Sequence, residues 1–418
     1  MPALASPART AAAPAHRNPQ VLRWLGAYTA STVGDSIYYL ALSWAAVTQG
    51  TPAQAGLVMA VSAGPRALLM LFGGVLADRL GPRRVVIASD AVRCLVTLGL
   101  AAALLLASPG LWALAAVALV FGVVDALFLP AVGALPPRVA ERDQLARVQG
   151  MRGIAYRLGA VLGSPLGGLA VALGGSAAAF GIAGVLFALS LPLLCGLKLR
   201  PLAADDEEDP GTPGERTALH DLVAGLRYLR GHPVLGPLVI VILLGDLGFV
   251  GPLNVGLAVL SEQRGWGASG IGWVLAGFGT GAAGASLLIT VKGRIPRAGA
   301  VLGWTVILGA VLLGALAFVP LLPVVVLVAL FFGLLAGLSG TLCGALVQTD
   351  CDPAYLGRVS AVASLGSLGI APLSFPLTGA AIGIWGPAPV FVVSAAVCAL
   401  SGAYALAVRP LRRAELPG

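Results

Sequence analysis

Charge is what this chain has least of. Only 11% of its 418 residues are charged, against about 25% in a soluble globular chain. Hydrophobic residues make up 58%. A soluble core of this length could not hide so much apolar surface, whereas lipid can. Histidine is nearly absent. His16, His220 and His232 all fall outside the apolar runs, so a proton path through a membrane would run on carboxylates. The five cysteines (Cys94, Cys195, Cys343, Cys351, Cys398) are scattered with no C-x-x-C pair, so no metal or disulfide framework is visible, and no cofactor is expected. There is no G-x-x-x-x-G-K-[ST] loop, which argues against ATP-driven pumping. The His, Cys or Ser constellation that a multi-span acyltransferase would need is also missing. Residues 1–20 lack an apolar core and do not read as a secretory signal; a cytoplasmic tail is expected there.

What the chain does have is length without polarity. A bilayer-spanning helix needs about 20 apolar residues, and the runs between polar or Gly/Pro breaks predict twelve spans. Their limits are 22–48, 53–77, 85–107, 110–137, 148–173, 176–198, 234–260, 268–291, 298–318, 321–349, 358–383 and 386–408. Ser108-Pro109 and Gly174-Gly175 mark tight hairpins. The abundant glycine, 57 residues, lets membrane helices approach closely. The predicted fold is an all-α membrane protein with two six-helix bundles, 21–198 and 234–408. A cytoplasmic linker, 199–233, joins them, and a tail, 409–418, follows. The linker begins with an acidic run, Asp205 to Asp209, read as solvated. It continues with Leu219, Leu222, Val223, Leu226 and Leu229 at helical spacing, as in a helix lying on the membrane surface.

Lysine and arginine are enriched in cytoplasmic loops. Of the 26 present, 22 fall in the tails, the even-numbered loops and their flanking helix ends. Arg66, Arg93 and Arg157 lie inside spans, and only Arg264 falls in an external loop. This places both termini in the cytoplasm of a plasma-membrane protein. It also explains the net charge of +8 without nucleic acid.

The halves repeat. Shifting the chain by 211 residues lays Gly34-Asp35 on Gly245-Asp246, Phe121-Gly122 on Phe332-Gly333, Arg147 on Arg358 and Pro165-Leu166 on Pro376-Leu377. The charges are less symmetric. Arg66, Asp90, Arg93, Asp125 and Arg157 fall opposite Gly277, Val301, Trp304, Ala336 and Leu368, and Asp78 falls opposite Ile289. Parallel six-helix repeats are expected of a transporter that works by rocking its halves. The first half should then carry coupling and gating, and the second a mostly apolar wall.

Between spans two and three runs Gly73-Gly74-Val75-Leu76-Ala77-Asp78-Arg79-Leu80-Gly81-Pro82-Arg83-Arg84. This resembles the signature loop of the major facilitator superfamily, with Pro82 where a basic residue is common. The segments Asn18-Pro19 to Trp44, Phe121 to Pro130 and Leu226 to Pro233 are similar to the bacterial drug and siderophore efflux branch, which includes enterobactin-exporter-like and macrolide-efflux-like proteins. The resemblance implies a gating latch formed by Gly74, Asp78, Arg79, Gly81, Arg83 and Arg84, with the arginines holding carboxylates on neighbouring cytoplasmic ends. Asp90 and Arg93, one turn apart, either extend this latch or form a local ion pair. Gly163-Ser164-Pro165-Leu166-Gly167-Gly168 is similar to the antiporter motif G-P-x-x-G-G, with Ser164 displacing the proline. Gly159, Gly163, Pro165 and Gly167 then serve either plain helix packing or antiport.

Ionisable groups inside a membrane cost roughly 2.5–3.5 kcal/mol each on insertion scales and are functional candidates by default. Asp35, Asp125, Asp246 and Arg157 are the proton-coupling candidates. Asp35 either binds the proton or pairs structurally with Arg66 or Arg157; Asp125 is the candidate partner of Arg157. Tyr38, Tyr39, Arg66 and Asn254 are candidates for a substrate cavity. Tyr28, Trp44, Phe249 and Phe278 either line that cavity or pack between helices. The function expected is proton-coupled export of a small amphipathic compound by a monomer, with protons, the substrate and the bilayer as partners. Proton-coupled uptake of a nutrient, or a non-transporting membrane protein, are the alternatives.

Overall fold

The structure is a computed structural model. It describes residues 15–107, 109–141, 144–199, 218–292, 296–352 and 355–416. Among these the chain is all helical. The first half contains α1 (Pro19–Gln49), α2 (Pro52–Leu80), α3 (Pro82–Leu106), α4 (Leu111–Gly133), the single turn α5 (Pro136–Val139) and α6 (Leu145–Cys195). The second half contains α7 (Ala218–Gly231), α8 (Leu235–Gly251), a π-helical turn (Pro252–Gly256), α9 (Leu257–Gln263), α10 (Gly267–Lys292), α11 (Ala298–Ala315), α12 (Leu322–Asp350), α13 (Leu356–Trp385), α14 (Pro387–Ala407) and α15 (Arg409–Arg413). Nine helices among the described residues are long and apolar enough to cross a membrane.

Local chemistry sets the boundaries. Proline at the first helical position loses no hydrogen bond, and its φ suits the helix. It opens α1, α2, α3 and α14. Asn18 caps α1 by accepting from Gln20 N–H at 2.9 Å. Thr51 and Gln54 form a reciprocal cap at the start of α2. Gly81 turns the chain from α2 into α3 at φ +86°, a conformation that side-chained residues resist. At 51 residues α6 is long enough to cross twice, and its backbone leaves the helix at Gly174 and Gly175. This is where the sequence predicted a hairpin.

The repeat reappears in the packing. In the first half α1 and α3 lie against the two legs of α6, and α2 lies against α4. In the second half α8 lies against α13, α11 against α14 and α10 against α12. Gly122 of α4 abuts the Ser62 carbonyl of α2, and its repeat partner Gly333 of α12 abuts the Phe278 carbonyl of α10. Lipid offers no hydrophobic drive between helices, so backbone approach at small residues is what holds such pairs together.

The halves meet along α2 with α13 and α6 with α10. Gly56 faces the Phe375 carbonyl, Gly168 faces Ala268, and Gly272 faces the Ser164 carbonyl. These approaches all sit toward the helix ends remote from the chain termini. There, too, Ser43 of α1 donates to the Asn254 carbonyl at 2.6 Å. Ser43 and Asn254 are 211 positions apart, so equivalent points of the two repeats touch each other.

Candidate functional site

The site is built around a buried cation. Arg93 and Asp90 lie three residues apart on α3, on one face of the helix. They are 1% and 0% exposed. Arg93 Nη1 is 3.4 Å from Asp90 Oδ1 and 3.6 Å from Asp35 Oδ1 on α1. Its Nη2 donates to Asp125 Oδ1 on α4. The guanidinium carbon lies 3.9 Å from the Phe128 ring centre, 5.2 Å from Phe121 and 5.8 Å from Phe187. A guanidinium stays charged in a protein. Three carboxylates and three ring faces are what make its burial tolerable.

Each carboxylate has a different surrounding. Asp90 Oδ2 accepts from Ser31 of α1 at 2.6 Å and from Ser190 of α6. Asp125 Oδ2 accepts from the Tyr39 hydroxyl at 2.7 Å and lies 3.8 Å from Arg66 Nη1 on α2. Asp35 Oδ1 has no hydrogen-bond partner among the described residues. The Asp35 side chain is 26% exposed and Arg66 is 23% exposed, whereas Asp125 is 6% exposed. So α1, α2, α3, α4 and α6 all contribute to one network. Asp35, Arg66 and Tyr39 lie partly open at its edge.

That edge is the wall of a cavity of about 400 Å³ between the halves. The first half lines it with Asp35, Arg66, Arg93 and Asp125, with Tyr28, Tyr39 and Tyr156, and with hydroxyls such as Ser36 and Ser62. The second half contributes Val250, Leu253, Ile271, Leu275, Ala371 and Phe375, with Asn254 its one polar lining residue. Asn254 sits in the π-helical turn and donates its side-chain amide to the Val250 carbonyl at 2.8 Å. π-turns recur at functional sites in membrane helices.

Several expectations need correction. Of the two alternatives for Asp90 and Arg93, the local ion pair is the one found, and it forms the innermost part of the charge network, because their face of α3 turns into the first half. Arg157 is not the partner of Asp125. It is exposed on α6, and Asp125 pairs with Arg93, Arg66 and Tyr39. Asp35 has Arg93 as its ion-pair partner, neither Arg66 nor Arg157. Asp246 lies outside the charge network and accepts from Ser367 of α13. Tyr38 is wholly buried, stacked on Phe121 at 3.7 Å, while Tyr39 and Asn254 line the cavity. Phe249 and Phe278 cluster with Phe332, the packing alternative.

In the signature loop, Arg79 and Arg84 are exposed and Gly81 makes the turn. Arg83 holds carbonyls rather than carboxylates. It donates to Leu194 at 3.3 Å and to Cys195, the last residues of α6, where unpaired carbonyls collect. The side chains at Gly74, Asp78 and Ile289, Arg294, and the acidic run 205–209 lie outside the described residues. Gly159, Gly163 and Gly167 face Thr32, Ser36 and Ile37 of α1, so this glycine face is a packing surface within the first half. Pro165 meets Gly272 of α10 across the halves. The sequence reading overlooked Ser31, Ser190 and the phenylalanine cage. Its one available signal was Arg93 itself, an arginine deep in an apolar run.

The profile of the Major Facilitator Superfamily matches residues 24–371. The enterobactin exporters EntS of Shigella boydii serotype 18 and Escherichia coli O81 are each 29% identical over 308 residues, covering 73% of this chain and 71% of theirs. Among solved structures, a mutant form of the nucleoside transporter NupG superposes with a TM-score of 0.74 at 15% identity, covering 94% of this chain and all of that one. A bacterial homologue of the human lysosomal transporter Spinster, in an inward-facing and occupied conformation, gives 0.73 at 13% identity, covering 96% and 98%. With its helices, its paired repeats and a profile match over most of its length, the chain belongs to the Major Facilitator Superfamily of membrane transporters.

Proposed function

We propose that this protein is a proton-coupled exporter of small amphipathic compounds, working by alternating access. One observation carries the reading: a cavity between the halves whose first wall holds Asp35 and Asp125 against Arg66 and Arg93, with Asp90 buried behind them, and whose second wall is apolar except for Asn254. With all three carboxylates ionised the network carries a net charge of −1. One proton makes it neutral. Asp35 has the most exposed side chain of the three carboxylates and lies on the cavity wall, so it is the proton's landing point. Asp125 and Arg93 hold the rest of the network in place. A substrate entering beside Asp35 competes with the proton, which links the two fluxes. The apolar wall suits a lipophilic substrate body, and the resemblance to enterobactin exporters favours the outward direction.

The same reading counts twelve spans. The two legs of α6 count separately, and α1 and α2 add to the remaining candidates. Both termini then lie on the cytoplasmic side of the plasma membrane, the protein acts as a monomer, and the present structure, closed at the far end, is open inward. Asp78 on the α2 end belongs to the latch that closes that side.

The test is uptake of candidate antibiotics or siderophores into inverted membrane vesicles energised with a proton gradient. Proton-dependent accumulation is expected, and Asp35→Asn abolishes it without abolishing substrate binding. Proton-dependent efflux that survives in Asp35→Asn refutes the coupling assignment. Accumulation in right-side-out vesicles only would replace export by uptake.

A further inference from the structure

A second cleft lies far from the transport cavity, where the end of the chain folds back on the start of α11. α14 ends at Ala407 and the chain turns directly into α15. Leu411 is buried, and its carbonyl lies against the backbone of Gly299, where an added Cβ would collide. Gly299 N–H donates to the Ala414 carbonyl at 3.2 Å. The C-terminal segment is therefore pinned across the first turn of α11, bringing Arg412 and Arg413 beside Arg297. The three guanidiniums, with Ala300 and Glu415, line one cleft of about 520 Å³. Three cations and one carboxylate leave it a net charge of +2.

Arg297 has φ +52°, the only positive φ at a non-glycine residue among the described residues. Such a conformation persists only where the surroundings impose it. Its side chain makes no cap bond to α11. Arg412 spends one donor on the Leu406 carbonyl at 3.2 Å. Among the described residues this is the one hydrogen bond from these three exposed guanidiniums, and the cleft they line holds a single acceptor side chain, Glu415. The cleft sits within a few residues of where α11 begins and α14 ends, which on the proposed twelve-span reading is the depth where the hydrocarbon gives way to headgroups.

We propose that this cleft binds the phosphate of an anionic lipid headgroup. Guanidiniums pair with phosphate through two parallel hydrogen bonds, which an ammonium cannot match. Basic pockets between membrane helices on the cytoplasmic side take such headgroups. The occupant would tie α15 to α11 and fix the second half at the membrane surface.

Native mass spectrometry of the full-length protein in detergent tests this without any bilayer surface potential. The probes are phosphatidylglycerol, phosphatidylcholine and inorganic phosphate. Phosphatidylglycerol should be retained in preference to phosphatidylcholine, and R297Q/R412Q/R413Q should weaken its binding at least about tenfold. R227Q/R230Q, which removes two exposed charges from α7, should leave it unchanged. R413Q alone is the milder variant should the triple change fail to fold, and it should show a smaller loss in the same direction. Displacement of phosphatidylglycerol by inorganic phosphate supports the shared phosphate chemistry. Binding of inorganic phosphate without phosphatidylglycerol overturns the lipid assignment, and equal lipid retention by wild type and both cleft variants overturns the site.

Discussion

Arg93→Met is the perturbation that tests the charge network most directly. The methionine fills much of the arginine's stem volume, so packing against Phe121, Phe128 and Phe187 changes little. What it removes is the charge. Asp90, Asp35 and Asp125 all lose the cation that lies within 3.6 Å or less of each. Arg66, 3.8 Å from Asp125 and reaching neither of the other two, is the only cation left. Breaking a buried pair by deleting one partner costs about 3–5 kcal/mol, and the lost ring contacts add about 0.5–2 kcal/mol. Arg93→Met should therefore lower stability by at least about 3 kcal/mol, read as the midpoint of a denaturing-detergent titration of the purified protein. Asp125→Asn alone should cost less, because Arg93 retains Asp35 and Asp90. Combined, the two changes should be less damaging than their sum, since the amide removes one of the stranded charges. A coupling of about 2 kcal/mol or more is expected in the double-mutant cycle. Additivity within about 0.5 kcal/mol, the behaviour of independent sites, would show that Arg93 and Asp125 do not act as a pair, and the proposed network would fall with it.

Gly56→Val places branched carbons against the Phe375 carbonyl, so it should hold the far end of the halves apart. Substrate transport should drop at least about tenfold, and cysteines introduced near the cavity should become more reactive to a membrane-impermeant thiol reagent added outside. Ser43→Ala removes the hydrogen bond to Asn254 and should disfavour the same closed end by about 1 kcal/mol, seen as a smaller rise in that labelling. Arg83→Ala frees the Leu194 and Cys195 carbonyls and should lower the unfolding midpoint by about 1 kcal/mol equivalent; Arg84→Ala, on an exposed side chain, should not. Asp78→Asn should stop transport while leaving substrate binding intact, and unchanged turnover would remove Asp78 from the latch.

The helices were legible because their cause is local. Apolar runs of membrane length, proline at first helical positions and the Gly174-Gly175 break all act within a few residues, and α1 to α14 follow them. The repeat was legible because Phe, Asp, Arg and Pro matches are rare in such a composition, and it resurfaces as Gly122 and Gly333 meeting carbonyls of equivalent helices. The site was only half legible. The sequence marked Asp35, Arg66, Asp125, Arg157 and Asp246 as costly groups in lipid; the first three meet in one network, around Arg93, which the sequence had placed with the latch or in a local ion pair. It could not pair them, because pairing depends on how each helix is rotated about its axis. With hydrophobic residues on every face, a membrane helix gives periodicity no purchase. Arg157 looked equivalent to Arg93 in sequence, yet its direction on α6 leaves it exposed. Asp90 and Arg93 sat close enough to the signature loop to be read with it, whereas their face of α3 turns inward toward Ser31 and Ser190.

The asymmetry between the halves has a physical logic. Ser43 meets Asn254, so repeat-equivalent points touch near the axis that relates the two halves. A symmetric pair of charge networks would place like groups across that axis from one another. Two such networks, six carboxylates and four guanidiniums in all, would carry twice the desolvation cost, and the groups lining the cavity would repel where the halves close. Gly277, Val301, Trp304 and Ala336 stand where four of the five charges would repeat, and the fifth, Asp246, keeps its charge but lies off the cavity lining beside Ser367. What remains is one polar wall, built around a buried guanidinium shared by three carboxylates, opposite one mostly apolar wall. In that arrangement Asp35, the most exposed carboxylate of the network, lies on the cavity wall between the halves. On the proposed coupling, a proton arriving or leaving there changes the charge of the cavity without disturbing the helix packing behind it.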